Sequence, residues 1–137
     1  MRKVIIIMFS IIVCIVSVGA KSPDINGGKG EIPPRDFESS GFVQMYTTAY
    51  CMGHTTANGS KVHSGGCACN THLGEVAEIY TLDGNFLGYY EVNDTGSSEG
   101  LQSGNVVDVY RCNLTQCSSY MRITHGRVWV RFIKGVG

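Results

Sequence analysis

From Gly41 onward the chain alternates. Apolar and polar positions follow each other with a period of two, the signature of strands with one covered face. Phe42 to Cys51 is rich in aromatic and β-branched residues and predicts a first strand. Gly66 to Asn70 predicts a short second one, with Cys67 and Cys69 on one face and Ala68 and Asn70 on the other. Glu75 to Thr81 and Asn85 to Asn93 flank Leu82-Asp83-Gly84, whose Asp-Gly pair signals a hairpin. Asn105 to Arg111 and Gly126 to Ile133 complete six strands.

The period changes once. Between the last two strands Leu114, Cys117 and Met121 recur at helical spacing, Asn113 is a good N-cap, Gln116 completes a capping box and Gly126 supplies a stop. Six short strands and one short helix within one core predict a mainly β domain, a small closed or nearly closed barrel that hides its sheet edges.

The N-terminal forty residues have another texture. Arg2 and Lys3 precede an apolar run from Val4 to Val18, and small residues lead to Ala20, the pattern of a secretory signal over residues 1–20. An uncleaved anchor in the membrane is the alternative for that segment. Residues 21–40 hold all three prolines, Pro23, Pro33 and Pro34, with little to bury, and read as a flexible linker before a domain at 41–137. Formal charge is balanced, with 11 basic and 11 acidic residues, and no basic stripe offers a footprint for nucleic acid.

Two acids stand out against that background. Asp94 follows Val92-Asn93, and Asp108 interrupts Val106-Val107-Asp108-Val109-Tyr110. Paired carboxylates at the rim of a β-structure can break a glycosidic bond, one donating a proton while the other steadies positive charge. Asp94 is equally suited to an Asx turn onto Thr95 and Gly96, and Asp108 to a solvent-facing position. Thr55, Thr56, Asn58 and Gly59 form a polar loop that suits glycan binding or an ordinary Asn-Gly turn. Tyrosines at 46, 50, 89, 90 and 110 suit stacking on sugar rings as well as packing.

The order of motifs resembles a known family. Tyr46-Thr47-Thr48-Ala49-Tyr50-Cys51, Thr56-Ala57-Asn58-Gly59-Ser60, Gly66-Cys67-Ala68-Cys69-Asn70, Leu73-Gly74-Glu75-Val76, Val92-Asn93-Asp94-Thr95-Gly96 and Val107-Asp108-Val109-Tyr110 follow one another as in the 3D (three-aspartate) domain of bacterial cell-wall proteins. The likeness runs over residues 43–134. It implies a double-psi β-barrel, as in lytic transglycosylase A, rare lipoprotein A and the expansins. It also implies a secreted, wall-associated protein of bacterial origin acting on peptidoglycan or a related polysaccharide. Asp94 matches the family's second aspartate and Asp108 its third, whereas the first falls at Asn70, an amide that can hydrogen-bond a sugar but supplies no charge. Tyr50 is the tyrosine that the family motif favours for the site, with Thr56, Asn58, Gly59, Asn70, Thr95 and Gly96 as further glycan contacts.

The implied reaction is that of a lytic transglycosylase. Asp108, in an apolar strand that raises its pKa, would protonate the glycosidic oxygen and then accept a proton from the muramic 6-hydroxyl. Asp94 would orient substrate and stabilise the oxocarbenium-like charge, though the two roles are interchangeable on sequence alone. The alternative is a non-catalytic, expansin-like module that binds or loosens polysaccharide, or a wall-structural protein. No cofactor is implied.

Five cysteines follow the apolar leader: Cys51, Cys67, Cys69, Cys112 and Cys117. Export makes them disulfide candidates with one left over. Cys112 and Cys117 are placed to staple the helix start, where the family pattern has no disulfide, and Cys51 to pair with Cys67 or Cys69. His63, Cys67, Cys69 and His72 match no standard zinc spacing, so no metal is expected. Asn58, Asn93 and Asn113 each begin an Asn-x-Ser/Thr sequon, meaningful only in a eukaryotic secretory pathway.

Overall fold

A computed structural model describes residues 36–134. The expected leader and most of the linker lie outside these residues. In chain order the elements are β1 (Val43–Tyr50), β2 (Gly66–Ala68), β3 (Glu75–Thr81), β4 (Phe86–Asp94), α1 (Glu99–Gln102), β5 (Val106–Tyr110), α2 (Leu114–Thr124) and β6 (Arg127–Lys134). The strands close into a ring in the order β1-β5-β2-β4-β3-β6, with β6 returning to β1. β1 runs parallel to β5 and β2 parallel to β4, while the other neighbours are antiparallel.

Alternation sorts the side chains. Met45, Ala49, Cys67, Ala77, Ile79, Leu87, Val92, Val107, Val109, Val128 and Val130 point inward and form one core. The Asp-Gly hairpin joins β3 to β4: Gly84 adopts φ 88° and its N–H donates to Thr81 O at 3.0 Å. Only glycine takes that left-handed conformation without strain.

α2 covers one side of the core through Cys117 and Met121 as expected, but its buried face is rotated away from Leu114. Cys117, Tyr120 and Thr124 are buried, whereas Leu114 is 54% exposed. Tyr120 decides this orientation, because its hydroxyl sits 2.7 Å from Thr47 Oγ1 inside the core and turns the helix by its largest side chain. Asn113 caps as expected, accepting from Gln116 N–H at 2.9 Å. Gln116 Oε1 reaches past the cap and accepts from Cys112 N–H at 3.1 Å. The helix ends at His125 in the left-handed conformation (φ 52°), followed by Gly126 at φ 76°.

Two further differences matter. α1 is a single turn with no counterpart among the expected elements, capped by Ser98 and seated by buried Leu101. The expected linker also reaches into the domain at its C-terminal end. Phe37 stacks on Trp129 at 5.2 Å and meets Phe42 and Tyr80 edge-on. Arg131, in register opposite Glu78, donates Nη2–H to Glu78 Oε2 at 2.7 Å and Nη1–H to Ser40 O at 3.2 Å. Phe37 and the Ser40 carbonyl therefore tie residues 36–40 to the outside of the ring.

Candidate active site

The two acids lie in one row across the outside of the ring. Thr48 of β1 pairs with Asp108 of β5, Asp108 with Ala68 of β2, and Ala68 with Asp94 of β4. Asp108 alternates with the inward Val107 and Val109, so its side chain leaves the opposite face. Two strand spacings put the Asp94 and Asp108 backbones about 9–10 Å apart, with Ala68 on the strand between them.

Asp94 reaches this row through a β-bulge. Cys67 pairs with Val92 but Ala68 pairs with Asp94, so Asn93 is the extra residue. Without the bulge Ala68 would face Asn93. Bulges commonly re-aim a side chain at a site in this way. Beneath it, Gly66 leaves the room that Asn93 needs: a Cβ there would meet Asn93 Nδ2 at 2.8 Å and Oδ1 at 3.1 Å. Asn93 is fully buried, which rules out the sequon at this position as a glycosylation site.

The loop from Cys51 to Gly65 folds over Asp94. Ala57 N–H donates to Asp94 Oδ1 at 3.0 Å and Asn58 N–H to Asn93 O at 3.2 Å. Thr95 N–H also donates to Asp94 Oδ1, at 2.8 Å, and Tyr50 Oη–H donates to Oδ2 at 3.3 Å. The Asx turn and the long-range contacts thus coexist on one carboxylate, which is 3% exposed. Burial, then the charges of Asp94 and Asp108, hold the Tyr50 phenol well above its usual pKa, so it remains a donor.

Asp108 is poised differently. It is 1% exposed and accepts a hydrogen bond from Thr48 Oγ1 at 2.8 Å. Burial pushes its pKa up to about 7, with the Thr48 bond opposing and the Asp94 charge adding to the rise. Near neutrality this carboxyl therefore exchanges a proton readily, the property that general acid–base chemistry requires.

The remaining expected residues fall around this pair in different ways. Asn70 closes the loop after Asp94: its Nδ2–H donates to Gly96 O at 2.8 Å and its Oδ1 accepts from Gly96 N–H at 2.9 Å. Both ends of the amide are thereby engaged on backbone. Thr56 is buried and donates to Asn58 Oδ1 at 2.6 Å, which also accepts from Ser60 N–H at 3.0 Å. Gly59 sits exposed at the turn with φ 86°. These residues shape the cover over Asp94 through the loop's own hydrogen bonds. Tyr110 meets Tyr50 edge-on at 5.4 Å, extending the outer row by one aromatic pair. Tyr90 is buried, and Tyr46 lies exposed under Arg127 on the same outer face of β1.

Thr48, Ala68 and the Ala57 amide were not among the expected site residues. Alternation alone places Thr48 on the outer face, but its meeting with Asp108 depends on a parallel register sixty residues apart.

Among the described residues no three His, Cys, Asp or Glu side chains converge as a metal site. His63 bonds Ser64 O and pairs with Glu91, and His72 bonds Glu75 while stacking on Phe132. No protein-family model matches this chain, and no curated protein sequence matches it.

Proposed function

We propose that this protein is a glycan-cleaving enzyme of the bacterial cell wall, with a double-psi β-barrel of the 3D type and lytic-transglycosylase-like action on peptidoglycan. The observation that carries the proposal is the row Thr48–Asp108–Ala68–Asp94, in which one buried carboxyl has a pKa of about 7 and the other is ringed by donors. A closed ring of six strands with two parallel pairs supports the barrel assignment.

In this mechanism Asp108 starts protonated and gives its proton to the glycosidic oxygen as the bond to the muramic anomeric carbon breaks. The resulting Asp108 carboxylate then takes the proton of the muramic 6-hydroxyl, whose oxygen closes the 1,6-anhydro ring. The proton count balances with one acid and no water. Asp94, fixed by Ala57, Thr95 and Tyr50, faces the developing positive charge at the anomeric carbon.

Incubation of the purified protein with peptidoglycan tests this directly. Mass spectrometry should find anhydro-muropeptides, and Asp108→Asn should lower their formation at least 100-fold, the scale of a lost general acid. A different outcome is favoured by one feature: Asn70, at the position of the family's first aspartate, spends its amide on Gly96. If the protein binds peptidoglycan, releases no fragments and is indifferent to Asp108→Asn, it is an expansin-like binding module.

A further inference from the structure

The thiols are distributed unequally. Cys67 and Cys69 lie wholly inside the ring, where burial drives the Cys67 thiol pKa well up and suppresses its thiolate. Neither forms a bridge in the structure. Cys112 is exposed and contacts Ser64 Oγ at 3.0 Å.

The other two meet. Tyr50, the last residue of β1, pairs with Tyr110, and Arg111 N–H donates to Tyr50 O at 2.8 Å. Cys51 therefore leaves the ring where the chain turns toward α2. That helix packs on β1 and turns Cys117 into the core, and Cys51 packs against the same cluster. Cys51 lies close enough to act electrostatically on the Cys117 thiol, and both act on Tyr110 at the end of β5.

We propose that Cys51 and Cys117 are a disulfide-forming pair, joined when the folded protein meets a disulfide oxidant, and that the bridge locks α2 onto the end of β1 beside the Tyr50–Tyr110 row. The pairing differs from both bridges that sequence position suggests, and it is independent of the reaction proposed above. Cys51, half-buried, is the accessible partner. Its thiolate attacks one sulfur of the oxidant and expels the other as a thiolate, leaving a mixed disulfide. The Cys117 thiolate then attacks Cys51 Sγ and expels the second oxidant thiolate. Two protein thiols lose two protons and two electrons, and the oxidant's disulfide becomes two thiols. Burial and the neighbouring Cys51 push the Cys117 thiol pKa up to about 12, so Cys117 is poor at initiating. Once Cys51 is capped its charge no longer opposes ionisation of Cys117.

Oxidised glutathione and the full-length protein provide the test. Reactive thiols under denaturation should fall from six to four, with mass spectrometry linking Cys51 to Cys117. Oxidation should raise the thermal midpoint by about 10 °C, because the bridge closes a long loop. Cys51→Ser, at a half-buried position, should fold, keep all its thiols and show no such rise. Cys112→Ser should still lose two. The proposal is overturned if the linkage maps to Cys112, if oxidation yields only intermolecular dimers, if the count stays at six, or if Cys51→Ser still loses two thiols.

Discussion

Asp108 keeps its proton up to about pH 7 in the folded chain, whereas the unfolded chain releases it near pH 3.8. Between those values the folded state binds more protons, so stability falls as pH rises. The penalty begins near pH 4 and is complete above pH 7. Its full size is on the order of 4 kcal/mol for a group this well buried. Asp108→Asn keeps an acceptor for Thr48 and removes the ionisation. Urea denaturation of this variant should show it more stable than wild type at pH 8, by about 2–4 kcal/mol, with the gap closing by pH 4. An equal gap at both pH values would mean that Asp108 ionises freely in the fold. Loss of cleavage together with gain of stability is the pattern of a group retained for chemistry, since a merely structural residue would lose both.

At the scale of elements, the asparagine bulge in β4 is the feature on which the site turns. Gly66→Ala would push its new Cβ into Asn93, a short side chain with no room to withdraw. It should cost about 1–3 kcal/mol in stability. Chemical shifts or a crystal structure should show the change concentrated at Asn93–Asp94, and a variant with an unmoved Asp94 would remove the bulge from the account. This scale also shows what the chain discloses about itself. Apolar and β-branched runs bounded by turn residues made all six strands readable, and Asp83-Gly84 marked the hairpin between β3 and β4. Both acids were visible because a charge inside Val-Val-Asp-Val-Tyr and a turn signal after Val92 are local facts. The single turn of α1 is too short for periodicity to register. Of the expected helix face Cys117 and Met121 do meet the core, but Leu114 does not, because Tyr120 is selected by a partner, Thr47, seventy-three residues away. The row that joins Thr48, Asp108, Ala68 and Asp94 needs three non-local registers and a bulge, none of which is encoded in spacing.

Across the whole molecule, the packed segment before β1 acts as a brace on the opposite face from Ala77 and Ile79. Glu78, 1% exposed, faces Arg131, which in turn holds Ser40 O and lies over Phe42 at 4.7 Å. Phe37 closes the aromatic cluster above Trp129. A domain cut at Gly41 would lose the Ser40 and Phe37 contacts. Phe37→Ala should therefore lower stability by about 2–4 kcal/mol in chemical denaturation. A change within 0.5 kcal/mol, the range of ordinary surface substitutions, would show that the segment is dispensable.

Ring closure also sets an order in time. β1 stands near the start of the domain, yet both of its neighbours, β5 and β6, come from residues beyond 105. Until those arrive, β1 has two open edges and Cys67 and Cys69 lie uncovered, in a topology dominated by distant pairings that assembles slowly. Cys51 and Cys117 approach each other only after β1 has found β5 and α2 has docked. A bond between them would then mark a finished molecule, while any bond to Cys67 or Cys69 would record a chain caught by oxidant before its ring had closed.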